Sequence, residues 1–176
     1  MSGAPQGAEV RALQDRLDVI EVCTRLHWLV DRKRWDELDQ VLAPRVCLPT
    51  LEEQDRPDFD ARRATRSLEE IVASYVLLLG GLRTQHLVTG HQVELDGDAA
   101  VCWAHSVNVH WTDEPGAGKV VHGNEYRFDL ARTGAGWRIV GRRTRILWSE
   151  GDESLHDVTS KQRDWVASLA TQSPEV

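Results

Sequence analysis

The stretch ELDGDAAVCWAHSVNVHWTDEPGAGKVVHGNEYRFDLARTGAGWRIV, residues 94–140, decides the fold class. Three turn signals punctuate it: DGD at 96–98, PGAG at 115–118 and TGAG at 133–136. Between them the period is two. In the run 99–112 the even positions are Cys102, Ala104, Ser106, Asn108 and His110, and the odd ones include Val101, Trp103, Val107, Val109 and Trp111. The even face of the next run is apolar with polar insertions (His122, Asn124, Tyr126, Phe128), whereas its odd face carries Glu125, Arg127 and Asp129. Extended to both sides, the pattern predicts four long strands in a meander, 84–95, 99–112, 119–131 and 136–148.

Upstream the period is helical. Leu13, Leu17, Ile20, Thr24, His27 and Asp31 recur at steps of three and four, predicting a helix over 8–30 with Asp31 ending its inward stripe. RWDELDQVLAP reads as a short helix stopped by Pro44, and RVCLPT as a short strand. The charged segment 51–66 reads as a surface loop able to cover a pocket mouth. Ser67 with Glu70 forms a capping box for the helix LEEIVASYVLLL, closed by Gly80-Gly81. Helices followed by an antiparallel sheet define an α+β layer fold, with room for a pocket between the layers. The expected organisation is a disordered leader (1–7), one domain (8–152) and a C-terminal helix or tail (153–176).

The composition, 41% hydrophobic with seven tryptophans, belongs to a folded domain. A net charge of −7 with no basic run argues against nucleic acid as a partner. Cys23, Cys47 and Cys102 are odd in number and widely spaced, which suits reduced core thiols better than a disulfide framework or a zinc knuckle. With neither a secretory start nor a run long enough to span a bilayer, no membrane association and a cytoplasmic location are expected.

His86 and His110 are the leading candidates for chemistry, because the small and polar face of strand 99–112 and the mixed face of 119–131 together resemble the lining of a small-molecule pocket. The alternatives stand beside this reading. A strand histidine is often structural, and Asp31 has Arg32 and Arg34 to balance. His86, His110 and His122 with Asp31 would suit a divalent metal, although no tight ligand motif supports that set. No serine sits in a nucleophile elbow.

The segments DRKRWDELDQVLAP (31–44), LRTQHLVTGHQVE (82–94) and GWRIVGRRTRILW (136–148) resemble scytalone dehydratase, a member of the nuclear transport factor 2-like superfamily, and its SnoaL-like relatives. The resemblance implies three helices wrapped by a strongly curved, mainly antiparallel sheet enclosing a pocket. It places Asp31 on the family's orienting aspartate, His86 on its catalytic histidine and His110 on a second pocket histidine. Two family tyrosines that polarise the substrate carbonyl correspond to Val30 and Thr50, and a pocket asparagine to Tyr126, departures that imply a different substrate. The implied activity is that of a cofactor-independent dehydratase, isomerase or cyclase acting on a small apolar carbonyl compound of the polyketide type. In that scheme His86 moves the proton, Asp31 fixes its tautomer, and His110, Asn124, Tyr126 and Arg142 face the developing enolate. The rival expectation is a non-catalytic ligand-binding or assembly domain of the same fold. The apolar odd face of strand 99–112 further predicts a homo-oligomer, a trimer before a dimer by resemblance.

Overall fold

A computed structural model of the chain describes residues 4–172. Its order is α1 (Ala4–Asp31), a 3-10 turn (Trp35–Gln40), β1 (Leu42–Cys47), α2 (Leu51–Gln54), β2 (Thr65–Ser67) and α3 (Leu68–Leu79). Then come β3 (Arg83–Asp96), β4 (Ala99–Trp111), β5 (Lys119–Thr133), β6 (Gly136–Gly151), a second 3-10 turn (Glu153–His156) and α4 (Val158–Gln172). The six strands form one sheet in the order β2-β1-β6-β5-β4-β3; β1 runs parallel to β6 and every other pair is antiparallel. The expected α+β architecture, helices on one face of a curved sheet, is what the chain adopts.

Curvature has local causes. β3 carries a bulge between Thr89 and Gln92, where Gly90 takes a φ of +67°, and β5 and β6 slip register beside Gly123 and Asp129. Each bulge raises the local twist and bends its strand. Gly151 is held to glycine by a φ of +102° and by the Lys119 carbonyl oxygen, which a Cβ there would approach to 2.2 Å.

The even face of β4 is buried from Ala100 to His110, as the alternation predicts, and with the even positions of β5 and the inner face of α1 it builds the core. The α1 stripe differs from expectation. Val19, Cys23, Leu26, His27 and Val30 face inward, while Leu13 and Leu17 are each 63% exposed and Thr24 lies outside. Steps of three and four define two neighbouring stripes on one helix, and the one that meets the sheet is offset from the one with the longer run. α1 also starts at Ala4, inside the segment read as a leader; residues 1–3 lie outside the described residues.

Pro44 does not end a helix. It sits within β1, in the irregular stretch between Leu42 and Cys47 where the ladder with β6 shifts and no N–H is required. The charged segment is partly ordered: α2 occupies its start, and Arg66 is buried against Glu53 at 3.2 Å. The Ser67–Glu70 capping box of α3 is fully formed. α4 packs on α3 and buries Trp165. Cys23, Cys47 and Cys102 are free thiols.

Candidate active site

Asp31, the last residue of α1, meets β3 at His86. Its Oδ1 accepts from His86 Nδ1 at 2.6 Å and from the Thr84 hydroxyl at 2.8 Å, and its Oδ2 accepts from the His86 backbone N–H at 2.9 Å. Three donors from one strand therefore fix the carboxylate. Lys33 Nζ donates to Thr84 Oγ1 at 3.4 Å, extending the chain of donors outward. Burial pushes the Asp31 carboxyl up, but the hydrogen bond and charge of His86, with the His86 N–H and Thr84, outweigh it and hold the group below its ordinary value. A carboxylate only accepts, so His86 carries its proton on Nδ1 and presents Nε2 as the basic nitrogen. The His86 side chain is 6% exposed and lines an internal cavity of about 100 Å³ between α1, α3 and the sheet.

The other walls combine aliphatic and polar groups. Val30, Leu78 and Leu79 face Ile146 across the cavity. His110 lies edge-on to His86 with ring centres 5.6 Å apart, and His122 follows at 5.5 Å from His110. The Tyr126 hydroxyl accepts from Asn108 Nδ2 at 2.7 Å, so its own proton can be passed onward, strengthened by that bond. Arg142 donates from Nη1 to the Tyr75 hydroxyl at 2.9 Å; its Nε is buried, and among the described residues no acceptor meets it. Burial raises the Tyr75 phenol despite the nearby guanidinium, so Tyr75 stays protonated. The cavity is closed on one side by Gln162 of α4, whose Oε1 accepts from the Leu51 N–H at 3.0 Å.

Seven of the eight residues singled out from sequence, Val30, Asp31, His86, His110, Asn124, Tyr126 and Arg142, converge here, six on the cavity wall and Asp31 behind His86. Thr50 does not. Its hydroxyl accepts from the Glu53 N–H as the N-cap of α2, and the residue borders a separate surface cleft with Gln162 and Arg163. Asn124 lines the cavity with its Nδ2 3.4 Å from Ser106 Oγ and 3.3 Å from the His122 carbonyl oxygen. His27, Tyr75 and Asn108 were not singled out for chemistry. Asn108 shares the even face of β4 with His110, and His27 lies one helical turn before Asp31, so both were legible from spacing. Tyr75 carried no such signal. Among the described residues no group of three or more His, Cys, Asp or Glu side chains is arranged to hold a metal ion.

A larger concavity of about 540 Å³ lies where Trp103, Glu125, Arg127, Arg143 and Arg145 line the outer side of the sheet. Glu125 and Arg127 there are half-buried, Arg143 and Arg145 are exposed, and Arg127 pairs with Asp129 at 2.9 Å, which makes it a solvated groove. The cavity beside Asp31–His86, lined by buried histidine, tyrosine and asparagine side chains, is the chemically distinctive one.

Helices closing a curved sheet over an internal cavity define the nuclear transport factor 2-like class of folds. Residues 11–143 match the SnoaL-like domain, and the chain belongs to that family. Kfla4162 from Kribbella flavida is similar in structure, with 26% identity over 79% of this chain and 95% of that one and a TM-score of 0.66. So is an NTF2-like protein with a cystatin-like fold from Novosphingobium aromaticivorans, at 21% identity over 84% and 92% with a TM-score of 0.63. A type 2 hexachlorocyclohexane dehydrochlorinase (LinA) shares the fold at 12% identity over 84% and 95%, with a TM-score of 0.67. Comparison with curated proteins gives no match.

Proposed function

We propose that the protein is a cofactor-independent acid/base enzyme that abstracts a proton next to the carbonyl of a small, mostly apolar compound, with dehydration as the overall reaction ahead of isomerisation or cyclisation. The observation that carries the reading is the buried 2.6 Å contact between Asp31 and His86 at the wall of a cavity that mixes aliphatic side chains with a few hydrogen-bonding groups. A binding module has no need of a carboxylate held by three donors beneath a histidine.

Each step follows from the residues in place. His86 Nε2 takes the α-proton, and the electron pair of the broken C–H bond moves into the enolate. Tyr126 O–H and Arg142 Nε–H supply the donors for the developing oxyanion. Asp31 offsets the charge of the imidazolium that forms. The imidazolium then returns its proton to a β-hydroxyl, the C–O bond breaks with its electron pair, and water leaves a conjugated carbonyl behind. That a dehydrochlorinase occupies the same fold agrees with an elimination, in which one base removes the proton and a leaving group departs from the neighbouring carbon.

Proton abstraction can be tested without knowing the substrate. Cyclohexanone in heavy water should exchange its α-hydrogens faster with the wild-type protein than with His86→Ala, followed by proton NMR. Binding of the ketone with no acceleration would leave only a binding module.

A further inference from the structure

His27 is a second imidazole on the cavity wall, and the proposed proton transfer does not use it. It projects from α1 one turn before Asp31, is 3% exposed, and stacks at a tilt on Tyr126 (4.8 Å between ring centres) and beside His86 (5.2 Å). Its Nδ1 lies 3.1 Å from the Cys23 carbonyl oxygen. A carbonyl oxygen can only accept, so Nδ1 carries the proton and Nε2 is the nitrogen left with a lone pair. Among the described residues no donor meets that Nε2, although it is fully buried. Burial, and after it the neighbouring His86 and Arg142, push the His27 imidazole well below its ordinary range. The ring is thus a neutral acceptor.

A buried acceptor with no partner has given up its hydration without recovering a hydrogen bond. The asymmetry selects ligands, because a molecule that brings an N–H or O–H to the acceptor removes the cost and one that lacks it does not. The same wall offers a second acceptor: Asn108 spends its amide N–H on Tyr126, and its buried Oδ1 has no donor among the described residues. The cavity lining therefore carries donors, at Tyr126 and Arg142, and beside Tyr126 two bare acceptors, at His27 and Asn108.

We infer that His27 is a specificity-determining residue whose Nε2 accepts a hydrogen bond from a substrate hydroxyl other than the one that leaves, so that the protein acts on ketones bearing this further hydroxyl in preference to counterparts that lack it. This rests on the proposed ketone chemistry at His86 and extends it to the class of substrate.

The test uses two ketones that differ by one hydroxyl, cyclohexanone and 4-hydroxycyclohexanone. In protein labelled with ¹⁵N-histidine, the resonance of the unprotonated His27 Nε2 should shift on addition of the hydroxyketone and stay in place with cyclohexanone. The hydroxyketone should bind about 5–10-fold more tightly, the worth of one added hydrogen bond. In His27→Phe that preference should vanish while cyclohexanone still binds, and His27→Gln, whose amide oxygen can accept, should restore part of it. An unmoved Nε2 signal in the wild type, or equal affinities because water alone serves the nitrogen, would overturn the inference even if His27→Phe failed to fold. Accelerated α-exchange of cyclohexanone with no preference for the hydroxyketone would sink this inference and leave the proposed function standing; binding of neither ketone would sink both.

Discussion

Asp31 does two things at once, because its two oxygens take up the backbone and the imidazole of the same residue, His86, and so fix both the place and the tautomer of the ring. Asp31→Asn keeps the size and loses an acceptor, since an amide nitrogen set against Nδ1–H repels it. The base would rotate or change tautomer. Removing His86 as general base should lower the chemical rate about 10²- to 10⁴-fold, roughly 3–5.5 kcal/mol, and Asp31→Asn should cost nearly as much. The double variant should be little worse than His86→Ala, because the pair acts as a unit; additive losses in α-exchange rate would show two independent contributions. The carboxylate also leaves a mark on stability. Its folded-state pKa lies below the ordinary 3.8, so the unfolded chain takes up the proton first as the pH falls. The stabilisation by ionised Asp31 is full above about 3.8 and is lost as the pH drops through the lower folded value. Urea denaturation at several pH values should show the gap between wild type and Asp31→Asn closing on the acid side; a gap that widened there would reverse the sign of this linkage. Thr50 shows where residue-level reading stopped. A threonine that aligns with a family tyrosine is equally an N-cap, and the local sequence TLEE satisfies the cap first.

Elements were legible where a period and a stop signal agreed. β3 to β6 fall within three residues of their expected ends, and the Ser67–Glu70 cap opens α3 where the motif places it, because turn chemistry and capping are local. Other features depend on what lies across the gap. The α1 stripe, the parallel docking of β1 on β6 and the seat of Gln162 over the cavity are set by tertiary contacts that no window of sequence contains. Gly90 belongs to this second kind. Within β3 it reads as a weak strand residue, yet its φ of +67° places the bulge that bends the strand between His86 and the β3–β4 turn. A Cβ there would have space, the nearest atom being His105 Nδ1 at 3.8 Å, so replacement is penalised by conformation and not by collision. Gly90→Ala should therefore cost about 1–2 kcal/mol, the penalty for a left-handed non-glycine residue, measured as a lower urea midpoint at unchanged m-value. A neutral substitution would mean that the bulge slips to a neighbouring residue.

At the scale of the whole molecule, the outer face of the sheet is unevenly covered. Sequence alternation expects Val101, Trp103, Val107, Val109 and Trp111 to form an apolar surface, and in the folded chain only part of it is open. Arg127 lies over the Trp103 ring, 5.6 Å from its centre, and every member except Val107 is half-buried by neighbours. The open part is a row that crosses four strands in register, from Leu87 through Val107 and Gly123 to Trp148. Leu87 is 55%, Val107 36% and Trp148 47% exposed, and the Trp148 indole lies across Gly123, where a Cβ would come within 2.1 Å of it. An apolar strip without a side chain at its third position suits a second copy of the same sheet better than it suits water, at about 25 cal/mol for each Å² covered. The protein is accordingly expected to form a homo-oligomer through this row. Light scattering at micromolar concentration should return a multiple of 19.9 kDa. Val107→Glu, which sets a charge at the middle of the strip, should bring the mass down to one chain with the circular dichroism unchanged. If the mass of that variant stayed multiple, the contact would lie elsewhere, and the other exposed apolar ridge, Val10, Leu13 and Leu17 on α1, each 63% exposed, would be the next surface to charge. A wild-type monomer would show that the strip remains in water, and that the apolar residues on the outside of this sheet hold Trp148 over Gly123 and the strands in register without recruiting a partner.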